Sequence, residues 1–215
     1  MTEGELREQL VRFARLMITT GLVRGTSGNI STRGPGADQA LITPSGVDYE
    51  TMRSEDVVLV DLMGQPVTAG LKPSVDTPVH VAIYRARPDV GAVMHTHSLY
   101  AAAFSTLGRE IPPLITESAG YVGGAVRVMD YVPPARPDTG DVVAGGLGPD
   151  RAVLLPNHGV IAVGENLKKA FGAAMAVEES AHVAHIALQL GEPRLVPDSE
   201  VARMNDFIHR KYGQR

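Results

Sequence analysis

Two histidines one residue apart, in His95-Thr96-His97, and a third in Pro156-Asn157-His158-Gly159 are the residues of this chain best suited to metal chemistry. On a strand, side chains at i and i+2 point to the same face, so the imidazoles of His95 and His97 can converge on one point. His158 stands among turn residues, and strand ends and loops on a rigid scaffold are where sites are commonly assembled. Three neutral imidazoles with an open position describe a catalytic site of the zinc type, to which a carboxylate could add a further bond. By itself a His-x-His pair is more often incidental than metal-binding. The 215 residues include seven histidines but no cysteine or tryptophan. Disulfides, thiolate nucleophiles, zinc fingers and iron–sulfur clusters are thereby excluded, and any metal must be held by nitrogen and oxygen. The remaining histidines fall on helical segments. His182 and His185 follow Glu178 and Glu179 at helical spacing and could imitate a ligand cluster, but a partly solvated face of an amphipathic helix accounts for them. His80 reads as a half-buried, hydrogen-bonded side chain and His209 as a surface one.

Periodicity and turn chemistry supply the elements that must position these groups. Leu6, Leu10, Val11, Phe13, Ala14 and Met17 recur at helical spacing, which predicts a helix over roughly the first twenty residues. Gly21, Gly25 and Gly28 then lie among small polar residues, a composition for tight turns and close backbone approach. Strands are expected at Ala40–Thr43 and Val57–Val60, with a Pro44-Ser45-Gly46 turn between them. A helix over Thr77–Arg87 starts near Asp76 or Thr77 as cap, and Val90–His95 alternates as a strand should. Further on come a helix at Ser98–Leu107 and turn-rich sequence through Pro112, Pro113, Gly120, Gly123 and Gly124. The region Pro133–Pro149 reads as loop with a short helix, followed by strands at Ala152–Leu155 and Val160–Val163. The longest helix is Leu167–Leu190, and a last one runs from near Ser199 toward Tyr212. There is no repeat and no long linker, so residues 1–215 read as one α/β domain with mixed strands between terminal helices.

Composition narrows the function. Hydrophobic residues make up 44% and charged residues 20%, the usage of an ordinary globular protein. A net charge of −4 gives no field for polyanions and argues against nucleic-acid binding. The uncharged stretch Val90–Gly108 is long enough for a membrane span, but His95, Thr96, His97, Ser98 and Ser105 would be costly in lipid. It reads instead as a buried strand turning into a helix, with no membrane partner. The opening MTEGELREQLVRFARLM lacks a basic segment followed by an apolar core, so a cytoplasmic location is expected.

Six motifs in order, GTSGNIS (Gly25–Ser31), ITPSG (Ile42–Gly46), KPSVDTPVH (Lys72–His80), HTHS (His95–Ser98), NHG (Asn157–Gly159) and KYG (Lys211–Gly213), resemble those of the class II aldolase/adducin family. The likeness covers essentially the whole chain and is greatest to the bacterial L-fuculose-1-phosphate aldolase and L-ribulose-5-phosphate 4-epimerase branches. It implies a single α/β domain with a central, mainly antiparallel sheet flanked by helices on both sides, and a C4 homotetramer with sites at subunit borders. It implies that His95, His97 and His158 hold Zn2+, for which Mn2+ or Co2+ could substitute. Asn29, Ser45, Gly46 and Ser74 match the family's phosphate pocket, and Tyr212 matches a tyrosine that handles a proton on the substrate.

Two departures from the aldolase pattern bear on the chemistry. Where the aldolases carry Pro-Ser-Ser-Glu, this chain has Pro73-Ser74-Val75-Asp76. An aspartate here is what the epimerases carry, and Asp76 is expected to be metal ligand or catalytic base. Val75 replaces a phosphate-facing hydroxyl, forfeiting a hydrogen bond of roughly 1.5–3 kcal/mol to a charged acceptor. The 60 residues between His97 and His158 match the compact aldolase layout rather than the longer epimerases. No residue clearly matches a second aldolase tyrosine; Thr116, Glu117 and Tyr121 lie nearest. The expected activity is reversible cleavage of a ketose phosphate to dihydroxyacetone phosphate and an aldehyde through a metal-stabilised enediolate. A 4-epimerase using the same bond cleavage and a non-catalytic adducin-like binding protein are the alternatives.

Overall fold

A computed structural model describes residues 1–133 and 136–212. Helix α1 (Glu3–Thr19) opens with a capping box, Thr2 accepting from the Glu5 amide while Glu5 reaches back to the Thr2 amide. Strands β1 (Asn29–Arg33), β2 (Gln39–Ile42) and β3 (Val58–Asp61) follow, then helix α2 (Thr77–Ala86), β4 (Ala92–Thr96) and α3 (Leu99–Thr106). The second half consists of α4 (Thr116–Tyr121), α5 (Thr139–Leu147), β5 (Ala152–Leu155), β6 (Gly159–Gly164), α6 (Leu167–Leu190) and α7 (Asp198–Arg210). Among the described residues, six strands form one sheet in the order β3-β2-β1-β4-β6-β5, and every ladder in it is antiparallel. The expected antiparallel sheet with helices on both faces is what forms.

Alternation along the central strands divides the core in two. Ala92 and Met94 of β4 pack with α1, α3 and α6, whereas Val93 faces α2 and α5 on the other side. His95 therefore belongs to the α2/α5 face. Among the described residues, no helix is long and apolar enough to cross a membrane.

Two elements depart from the sequence expectation. The glycine-rich segment read as turns ends in β1, the strand between β2 and β4, and the turn-rich stretch after Pro113 contains α4. His80 is not half-buried but fully enclosed, and the His209 side chain is only 9% exposed rather than on the surface. His182 and His185 are exposed as expected, His182 stacking on Tyr100 at 3.9 Å between ring centroids. Glu178 forms no cluster with them: its carboxylate accepts the Tyr100 and Ala101 amides at the start of α3. Gly213 of the KYG motif lies outside the described residues.

Candidate metal centre

His95 is the penultimate residue of β4 and His97 follows the strand, while the turn Pro156–His158 between β5 and β6 brings in His158. That turn needs Asn157 in the left-handed region, at φ 55°, a conformation asparagine tolerates well. Gly159 matters for a different reason: a Cβ there would sit 2.2 Å from the Thr96 carbonyl oxygen and 3.1 Å from the His97 ring. Only glycine lets the β6 backbone press this close to the histidines.

The Nε2 atom of His95 stands 2.9 Å from that of His97 and 3.2 Å from that of His158. Nδ1 of His95 donates to the Val160 carbonyl at 3.0 Å, so its Nε2 carries no proton and presents a lone pair to the centre. Burial pushes His95 down to about 3 and lowers His97 as well, so both rings are neutral. A bare His95 nitrogen this close to two other ring nitrogens needs either a proton donated by one of them or a cation shared among the three. Tetrahedral bonds of about 2.0–2.1 Å would space the nitrogens by roughly 3.3 Å, close to what is found. The residues present therefore fit a divalent metal, and among the described residues these three form the group able to hold one.

Asp76 comes from the N-terminus of α2. It occupies the N-cap position without capping, and its Oδ2 lies 3.9 Å from His95 Nε2 and accepts from Asn29 Nδ2 at 2.7 Å. Burial raises its pKa, but the bond from Asn29 works against that, and the carboxyl is held below its ordinary value. Asn29 is brought here by register, paired directly opposite His95 across β1 and β4. Ser74 is buried, its amide bonded to the Thr43 carbonyl and its Oγ accepting the Asp76 amide. Ser45 and Gly46 are exposed in the adjoining turn, where the Ser45 amide donates to the Lys72 carbonyl and Gly46 takes φ 70°. One face of the centre is thus a polar cradle of Asn29 and Ser74 with the Ser45-Gly46 turn beside it.

The other face is mostly apolar. A cavity of about 230 Å³ opens onto His95, His158 and Asp76, walled mainly by Pro78, Met129, Val132, Val143 and Ile161, with Asp130, Arg136 and Thr139 among its polar lining. Val75 stands on its rim, 79% exposed, so the residue that replaces a serine contributes to this wall. Tyr212 does not line the cavity. It lies 61% exposed beyond α7, against Phe207, while α7 itself rests on α4 through Ile208 and Gly120. Thr116, Glu117 and Tyr121 belong to α4, away from the histidines. The apolar wall and the polar partners of Asn29 went unrecognised in the sequence. The i, i+4 pair His80 and Tyr84 on α2 was the available signal for the second.

Over residues 8–185 the chain matches the family model described as Class II Aldolase and Adducin N-terminal domain. It is 36% identical over 209 residues to 5-deoxy-D-ribulose 1-phosphate aldolase of Bacillus thuringiensis serovar kurstaki, with 97% of each chain covered. It is also 36% identical over 204 residues to an L-ribulose-5-phosphate 4-epimerase of Salmonella paratyphi C, covering 90% of this chain and 89% of that one. A solved L-fuculose 1-phosphate aldolase superposes with a TM-score of 0.90 at 31% identity, covering 97% of this chain and 98% of that chain.

Proposed function

The chain belongs to the class II aldolase and adducin family, and from that premise we propose that this aldolase reversibly cleaves a methyl-ended deoxyketose 1-phosphate into dihydroxyacetone phosphate and an aldehyde. The observation that carries the reading is the contrast between the two faces of the histidine cluster, polar at Asn29 and Ser74, apolar at Met129, Val132 and Val143. A phosphate suits the first face. The methyl end of 5-deoxyribulose or fuculose suits the second, where apolar side chains predominate and a hydroxyl would find few partners.

In this reading His95, His97 and His158 hold zinc, or manganese or cobalt, with Asp76 beside them. The cation, when bound, supplies a Lewis acid that polarises the ketose carbonyl and stabilises the enediolate. The residues of the chain do the rest. Asn29, Ser45, Gly46 and Ser74 orient the phosphate, and the apolar wall keeps water from the carbon that becomes the aldehyde. Cleavage breaks the bond between C3 and C4, the C4 hydroxyl giving up its proton and C3 later gaining one. Asp76 and Tyr212 are assigned those proton transfers, with Tyr212 on the aldehyde side. The enzyme works as a homotetramer.

Asp76 gives a second reading some support, because epimerases of this family carry aspartate there; re-addition to a rotated aldehyde would then follow the same cleavage. The test is to incubate zinc-loaded protein with 5-deoxyribulose 1-phosphate and with ribulose 1-phosphate while trapping free aldehyde. Cleavage of the deoxy sugar should be favoured about tenfold or more, the cost of an unpaired hydroxyl in the cavity, and H95A should abolish it. A stereoisomer of equal mass with no trapped aldehyde would establish the epimerase, and turnover unchanged in H95A would remove the metal role.

A further inference from the structure

Five polar side chains, four of them buried, run in a line from the far end of α2 to the histidine cluster. Tyr84 Oη lies 2.7 Å from Ser31 Oγ, Ser31 Oγ lies 2.6 Å from His80 Nδ1, and His80 Nε2 lies 2.6 Å from Asn29 Oδ1. Asn29 Nδ2 then donates to Asp76 Oδ2 at 2.7 Å. Tyr84, Ser31, His80 and Asn29 are each no more than 4% exposed.

Proton bookkeeping gives this line one direction. A carboxylate only accepts, so Asn29 must turn its NH2 toward Asp76 and its carbonyl oxygen toward His80; the opposite rotamer would set two oxygens face to face. That oxygen only accepts, so His80 must carry its proton on Nε2. A neutral, enclosed imidazole then has a bare Nδ1, which takes the Ser31 proton, and Ser31 in turn accepts from the Tyr84 hydroxyl. Every bond donates toward Asp76. Such a series polarises in one sense, and each member has its partners.

The repeats of the two elements make the fit possible. His80 and Tyr84 are one helical turn apart, a rise of about 6 Å, and Asn29 and Ser31 are two strand residues apart, about 6.6 Å. The helix face and the strand face therefore match at both contacts. Asn29 retains one amide proton not used by Asp76.

We propose that His80 is a positioning residue: held by Ser31 and Tyr84, it fixes the Asn29 amide and through it holds the Asp76 carboxylate against the three histidines. The proposal rests on the metal reading of that cluster. It assigns a function to a side chain that touches neither metal nor substrate, and it gives β1 and α2 a shared task at the site.

The experiment compares H80Q, whose amide can still donate to Asn29, with H80L, which cannot, and with Y84F. Zinc affinity is read by chelator competition, kcat and KM by aldehyde trapping, and folding by thermal melts. The tautomer of His80 is read by 15N NMR of the metal-free wild type. H80L should lose about 10- to 100-fold in zinc affinity, the usual cost of removing an outer partner of a metal site. H80Q should stay within a few-fold of wild type and Y84F should fall between them. The NMR should show the proton on Nε2. Folded H80L with wild-type zinc affinity and kcat would overturn the proposal, as would a proton on Nδ1. Should H80L not fold, Y84F and the tautomer decide it. If wild-type protein binds no zinc, the metal reading fails, and the tautomer still reports whether the line of bonds runs as assigned.

Discussion

At the scale of single residues, the site depends on backbone approach as much as on the three histidines themselves. Gly159 is the sharpest case, since its Hα points at the Thr96 carbonyl and at the rings of His97 and His95. In Gly159→Ala the new methyl group must push β6 away from β4 or turn the His97 ring. We expect zinc affinity to fall about tenfold or more, with a stability loss of about 1–3 kcal/mol from overpacking. Chelator competition together with urea unfolding would check this, and unchanged zinc affinity would show that the strands yield without moving the rings. The histidines themselves were legible in the sequence because i, i+2 spacing at a strand end is a geometric statement. Asn29 and Ser74 were legible only through motif likeness. His80 was misjudged as half-buried because a polar residue on an otherwise apolar helix face says nothing of what it meets. Its partner Ser31 lies on a strand the pattern concealed.

At the scale of elements, that strand shows where hydrophobic patterning fails. β1 reads Asn-Ile-Ser-Thr-Arg, and its positions on the α2 face, Asn29 and Ser31, are polar because they bond to α2 rather than to water. A half-buried strand is expected to alternate apolar with polar, and here the polar half is also enclosed. By contrast α6 was bounded correctly, since Asn166 caps it on the Lys169 amide and Gly191 ends it. The docking of α7 was not legible at all, because it depends on charges distant in sequence. Lys169 donates to the Ile208 carbonyl near the end of α7, and His209 Nδ1 stands 3.5 Å from the Glu165 carboxylate, which also pairs with Arg151 at 2.9 Å. His209 and Arg151 hold the Glu165 carboxyl well below the usual carboxylate range, against the opposing effect of burial. A carboxyl with a lower pKa in the folded state stabilises that state fully above its unfolded pKa, about 4.3, and the contribution is lost progressively as pH falls from there through the folded-state pKa. Glu165→Gln should therefore cost about 1 kcal/mol or less at pH 7, since the side chain is 43% exposed. The difference should be smaller near pH 3, partway into the range over which the contribution is lost. Urea unfolding at the two pH values tests it, and an equal deficit at both would show that the charge is not what anchors α7.

At the scale of the whole molecule, the sheet separates two residues that the proposed reaction needs together. The cavity lies between α2, α5 and the β5–β6 turn, whereas α7 rests on α4, and α4 packs on α6 across the sheet, with Tyr121 against Gly172. Tyr212 follows α7 and so stands on the side of the sheet away from its own histidines. For its hydroxyl to serve a substrate, it must enter the cavity of another copy of the chain. Exposed Leu107, Ile186, Leu190 and Leu195 supply apolar surface that such an assembly would cover. Two variants that are each nearly inactive then become informative in combination. H95A lacks a ligand but keeps its tyrosine, and Y212F keeps the ligands but loses about 10²-fold in rate as a proton carrier is removed. When equal amounts are unfolded and reassembled together, a site works if its histidines come from a Y212F chain and its tyrosine from an H95A chain. Random assembly in a cyclic oligomer satisfies both at about one site in four, so about a quarter of wild-type activity should return. Recovery no greater than the sum of the separate variants would place the tyrosine within its own chain, and wild-type rates in Y212F alone would remove it from the reaction.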